Sequence, residues 1–304
     1  MGFEVVFSVP EFAEQFTYVL NLNEQDIGLP LHEESLTYGD QIVFKQVGQS
    51  SHNTQWEVEP RITPTPNPGE LALGRLPGLT EAAVAHTALT VAIGVYAFPY
   101  DVLATQKGSR QNGATGFSDE GNNYLETLGA IACDLHKGIA VRRAIIATLQ
   151  RINETVTSVE LDSLQNPQNA VVGHRFCNGT LPLSLGQESD GFRRFYAHLL
   201  ALYQMPPKQT LIFEEPENGI YPGALELLAD EFKAAPDDNR GQVLLTTHNP
   251  ALLDCFSADQ IRVVELVNLE TRIGELDEDQ KSTLREELLH AGELLTVDPA
   301  RRAE

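Results

Sequence analysis

The chain has 304 residues, 42% of them hydrophobic, 21% charged and 7% aromatic, which suits one large or two ordinary globular domains and excludes a disordered or collagen-like chain. It has no unbroken run of about 18 apolar residues, so no membrane-spanning helix is expected, and the opening MGFEVVFSVPEFAEQF lacks the basic start and apolar stretch of a signal peptide. Forty-three acidic against twenty-one basic residues give a net charge of −22, which repels phosphate backbones on average and argues against a non-specific nucleic-acid coat.

Residues 1–60 read as an antiparallel β-meander, because Phe3–Val9, Phe16–Leu22 and Gln41–Lys45 are β-branched and aromatic runs broken by polar turns. Residues 60–69 hold four prolines and a glycine and mark a loop or seam. Residues 61–180 read as a helical insertion with returning strands. Within it, Ala82–Val95 is alanine- and valine-rich and is expected to be helical. Residues 106–122 are a polar, glycine-rich loop leading to a helix start near Ser118–Asn123. Helices then fill about residues 121–151, with Ala130, Ile131, Ile139, Ala144, Ile145 and Leu149 as core positions, and strands return at Thr155–Leu161 and Ala170–Phe176.

Residues 181–270 alternate in the α/β manner. A helix after Asp190 precedes the strand Gln209–Glu214, a helix from Pro222 to about Ala234 precedes Gln242–Thr247, and a helix after Pro250 precedes Gln260–Val267. Apolar strands between amphipathic helices predict a parallel core sheet covered on both faces. Residues 271–304 read as an acidic helical tail, helical from Glu278 to about Leu295. Cys133, Cys177 and Cys255 lie far apart, without a CxxC pair or a histidine at ligand spacing. Neither a disulfide framework nor a structural zinc site is expected, and a reducing cytoplasmic setting is the default.

The strongest chemical signal is Thr210-Leu211-Ile212-Phe213-Glu214-Glu215-Pro216-Glu217-Asn218. An apolar strand ends in two carboxylates and a proline, which places acids at the carboxyl edge of a parallel sheet, where ligands of such folds bind. One carboxylate there can hold Mg²⁺ and its neighbour can orient or deprotonate a water; the plainer alternative is a solvated acidic loop. One strand on, Val243-Leu244-Leu245-Thr246-Thr247-His248-Asn249-Pro250 ends at the same edge with a histidine able to bond a phosphate or that water. Upstream, Ser189-Asp190-Gly191 opens a helix whose N-terminus can face an anion, while Ser189 or Asp190 can equally serve as its cap.

In this order, S-D-G-x-x-R-F, then apolar-EEPENGIYP, then TTHNP-ALLD, the chain resembles the carboxy-terminal half of an ABC-class ATPase head, close to the predicted ATPases related to RecF, SMC and OLD proteins. The resemblance implies an α/β, P-loop NTPase-like head and ATP and Mg²⁺ as ligands. By it, Ser189, Asp190 and Gly191 match the signature motif, with Phe192 where relatives usually carry Thr. Glu214 matches the magnesium-side acid, Glu215 the catalytic glutamate, Asn218–Pro222 the D-loop region and His248 the switch histidine. It further implies ATP-dependent homodimers or heterodimers of heads, in which the signature of one caps the γ-phosphate bound on the other, and a nuclease, DNA-processing or defence partner; direct nucleic-acid binding stays open. Its specific part is about 185–255, and weaker similarity extends to the meander and to Ser118–Asn123.

The phosphate-cradling G-x-x-x-x-G-K-[ST] of this class does not occur in the chain. The nearest spacing, Gly108–Thr115, has Ala114 in place of the lysine. Truncation at the N-terminus is the simplest account, and the rival is an inactive half-site or regulatory module that completes a partner ATPase in trans. Other candidates are weaker. Asp277-Glu278-Asp279 reads as an acidic helix entry, and His32, His52, His86, His136, His174, His198 and His290 as surface or satisfied histidines. Arg193 and Arg194 read as solvated first-turn residues.

Overall fold

The computed structural model describes residues 2–9, 11–22, 31–50, 53–58, 71–76, 78–104, 116–161, 169–177 and 179–303. The Gly108–Thr115 spacing and the proline-rich 60–69 stretch lie outside them. The chain divides into two compact units, Met1–Ile93 and Gly94–Glu304.

In the first unit, β1 (Gly2–Phe7), β2 (Phe16–Leu22), β3 (Leu31–Tyr38), β4 (Gln41–Ser50) and β5 (Asn53–Val58) form a five-stranded antiparallel sheet in chain order. Phe16, Tyr18, Leu36 and Phe44 pack with Ala82 and Ala85 of α1 (Thr80–His86). The meander keeps within the expected residues but has five strands where the sequence pattern marks three runs, and β3 escapes the alternation rule because a buried position carries Glu34. Its carboxylate accepts from the Tyr18 hydroxyl at 2.9 Å, from Gln46 Nε2 and from the backbone N–H groups of Ala72 and Leu73, which offsets the cost of burying it. The helix expected over Ala82–Val95 stops early. After α1 the chain makes a π-turn at Thr87–Val91 and enters the strand β6 (Ile93–Tyr96).

The second unit is mixed α/β. Helices α2 (Tyr124–Cys133) and α3 (Gly138–Ile152) are separated where Asp134 Oδ1 accepts from the His136 and Lys137 amides. Ile131, Ile145 and Leu149 are buried as expected, whereas Ala130 and Ile139 face outward. Strands β7 (Val156–Leu161), β8 (Ala170–Phe176) and β9 (Gly179–Ser184) form an antiparallel sheet. The almost wholly buried helix α4 (Asp190–Tyr203) follows, then β10 (Thr210–Glu214), α5 (Leu225–Ala234), β11 (Gln242–Thr246) and the short α6 (Pro250–Leu253).

The central sheet has the order β11–β10–β6, with β10 and β11 parallel and Glu214 opposite Thr246. Phe195, Tyr196 and Leu199 of α4, Leu228 and Phe232 of α5, and Leu211 and Phe213 of β10 share one core. Two expectations fail here. β12 (Arg262–Val267) does not join the parallel pair; it turns back through Asn268 and Leu269, both at positive φ, into an antiparallel hairpin with β13 (Glu270–Glu275). The acidic tail is also less helical than expected: α7 (Glu278–Arg285) ends ten residues early, and Ala291–Leu295 is only a 3-10 turn. Among the described residues no helix is long and apolar enough to cross a membrane.

Candidate active site

The carboxyl edge of the β10–β11 pair gathers the candidate residues of the two strand ends. Glu214 is the last residue of β10 and is exposed. Glu215, next along, has φ of 42°, although a residue before proline is ordinarily driven to extended backbone. Left-handed backbone at a non-glycine residue is costly and gathers at functional sites. Here it is held by neighbours. The Glu215 N–H donates to the Thr246 carbonyl at 3.1 Å, and the Glu215 carbonyl accepts from Asn218 N–H at 3.1 Å. The Asn218 amide group also donates to Glu215 Oε2 at 2.7 Å. The other carboxylate oxygen faces His248, whose Nε2 lies 3.9 Å from Glu215 Oε1 on a ring that is 84% exposed.

A cleft of about 280 Å³ opens beside these groups, lined by Phe98, Arg194, His198, Glu214, Glu215 and Asn218. Arg194 is not the solvated residue expected: it is half-buried, donates to the Phe98 carbonyl at 3.1 Å and leaves its Nε without a partner. His198 is fully buried against Phe98, Phe213 and Phe232, and its Nδ1 lies 2.7 Å from the Arg194 carbonyl. That burial pushes the imidazole down to about 4, so it is neutral at ordinary pH.

The signature candidates sit one layer away. Ser189 is the N-cap of α4, its Oγ accepting from Phe192 N–H at 3.3 Å. Asp190 is held by the Tyr100 hydroxyl and the Arg193 guanidinium, which keep its carboxyl below the usual range. Arg193 is buried, contrary to expectation, and ties the Val102 and Glu188 carbonyls to the helix start. A Cβ on Gly191 would lie 3.1 Å from the Gly219 carbonyl, and Gly219 itself has φ of +75° and abuts Arg194. Gly191 therefore permits a close approach between the helix start and the D-loop candidate. Glu214, Glu215 and Asn218 share the cleft and His248 joins them through Glu215, whereas Ser189, Asp190 and Gly191 do not line it.

Residues 137–254 match the protein family described as "AAA domain, putative AbiEii toxin, Type IV TA system". The match covers less than half of the chain, and over that stretch the chain is similar to an AAA-type ATPase domain. All seven predicted site residues fall inside the matched stretch. Similar solved structures include an Smc head domain with an extended coiled coil bound to the C-terminal domain of ScpA from Pyrococcus furiosus, 12% identical with a TM-score of 0.46 over 90% of this chain and 79% of that one. Another is the SMC head domain from Thermotoga maritima, 10% identical with a TM-score of 0.37 over 90% of this chain and 78% of that one. No curated protein matches the chain significantly.

Proposed function

We propose that the chain is an ATP-binding, ATP-hydrolysing head of the ABC/SMC-like class that works through ATP-dependent pairing of heads. One observation carries this reading: within the AAA-matched segment, adjacent carboxylates end β10, and a histidine from the end of the next parallel strand stands 3.9 Å from the second. The donor set fits a hard cation, since Glu214 offers an exposed carboxylate oxygen at the sheet edge. Mg²⁺ bound there would neutralise charge building on the phosphates. Glu215, steadied by Asn218, orients a water and takes its proton. His248 is free to bond the terminal phosphate. Ser189, Asp190 and Gly191 present the N-terminus of α4 to the phosphate of an opposite head. A cytoplasmic setting and a nuclease, DNA-processing or defence partner complete the proposal.

The test is Mg²⁺-ATP turnover by the chain beside its Glu215→Gln variant. A fall of about a hundredfold or more is expected, because the glutamine keeps the shape and removes the base. Equal turnover in both would sink the assignment.

A second reading, a half-site that completes a partner ATPase in trans, is favoured by a separate feature. β11 ends the sheet: among the described residues no strand pairs with its outer edge, and its central Leu244 is 47% exposed. An apolar parallel strand is ordinarily covered on both sides. Its edge suits a strand of a partner chain that brings a lysine-bearing phosphate loop. Turnover absent from the chain alone and restored by such a partner would favour this reading.

A further inference from the structure

Glu217 is the third acid of the loop after β10, yet it does not line the cleft and is only 8% exposed. Its Oε1 accepts from the Thr247 hydroxyl at 2.6 Å, and its Oε2 is buried with no hydrogen-bond partner. Thr247 Oγ1 in turn accepts from the Asn249 N–H at 2.9 Å. Asn249 Oδ1 then accepts from the Ala251 and Leu252 amides at the start of α6. These contacts enclose His248 on both chain sides, because Thr246 is already fixed to Glu215.

We propose that Glu217 is a positioning residue, a buried carboxylate that aims the Thr247 hydroxyl and thereby locks the 246–249 loop that presents His248 to Glu215. The reason lies in the hydroxyl. It has one proton and a free rotor. While that proton is given to Glu217, the oxygen lone pairs face the Asn249 N–H. Without Glu217 the rotor is released, and Asn249 loses a fixed acceptor. A glutamine preserves the device, since its Oε1 can accept from Thr247 while its amide nitrogen takes the place of an oxygen that bonds nothing. What His248 does once positioned rests on the ATPase reading; the bridge itself does not.

The experiment is amide hydrogen exchange by NMR on the full chain, with the His248 ring signals recorded alongside. In Glu217→Ala the Asn249 amide is expected to exchange about tenfold faster, and the His248 signals to move, while α4 amides keep their rates. Glu217→Gln should return both readouts to near the parent. Should Glu217→Ala not fold, Thr247→Val and Thr247→Ser form a second pair, with the His248 signals moved in the first and restored in the second. Parent-like Asn249 protection in Glu217→Ala would overturn the proposal. So would an equal loss in Glu217→Gln, since the carboxylate would then act through its charge. Absence of ATP turnover in the parent would remove the ATPase reading and leave these exchange results untouched.

Discussion

β10 and β11 are neighbours in one sheet, five residues each, apolar in their middles, and both end at the candidate site. Their surroundings differ. Leu211 and Phe213 of β10 are completely buried, because β11 and β6 flank the strand and side chains of α4 and α5 share its core. No residue of β11 is fully buried, and Leu244 stands half out. The difference is one of position, since Val243-Leu244-Leu245 is at least as apolar as Leu211-Ile212-Phe213. One strand holds the unit together and aims Glu214 and Glu215; the other offers an edge while aiming His248.

The widest separation should come from truncation. Phe213→Ala removes a ring packed against Tyr96, His198 and Phe232 and should cost about 3–5 kcal/mol. Leu244→Ala should cost less than about 1 kcal/mol, as an exposed site leaves no cavity. Urea midpoints decide it, and equal losses would break the contrast between the strands.

A pH effect is expected from His198, which packs against Phe213 of β10. The unfolded His198 protonates near its ordinary 6.5, whereas the folded imidazole resists until about 4. Between those values the unfolded state binds the extra proton. Stability from this group is therefore complete above about pH 6.5 and falls as pH drops towards 4, by on the order of 3 kcal/mol. His198→Phe should flatten the slope of stability against pH in that window relative to the parent. An unchanged slope would show that the carboxylates alone set the acid response.

Much of this site was legible in the sequence, and the reasons are local. Glu214, Glu215 and His248 stand out because each ends an apolar run before a proline, and Ser189 because a serine before a helix is a cap. The remainder depends on contacts distant in sequence. Arg193 donates to Val102, 91 residues away, and Arg194 to Phe98, 96 residues away; no first-turn rule anticipates their burial. The Glu217–Thr247 bond requires the β10–β11 register. The β12–β13 hairpin was hidden because its turn uses Asn268-Leu269 rather than Asn-Gly. β6 was hidden because four residues directly after a helix carry too little periodicity.

The smallest effect on stability tests the edge most directly. Leu244→Lys replaces a half-exposed side chain and should shift the urea midpoint by no more than about 0.5 kcal/mol in stability. A lysine on an edge strand opposes the docking of another strand. Sedimentation at rising concentration should therefore show less self-association in Leu244→Lys than in the parent, if the open edge is where copies or partners meet. Amide exchange sharpens the point. β10, paired on both sides, should be protected throughout, whereas β11 should alternate, with its inward amides slow and its outward amides fast. Uniform protection along β11 would mean that its outer edge is already covered in solution, and the half-site reading would then lose the feature that favours it.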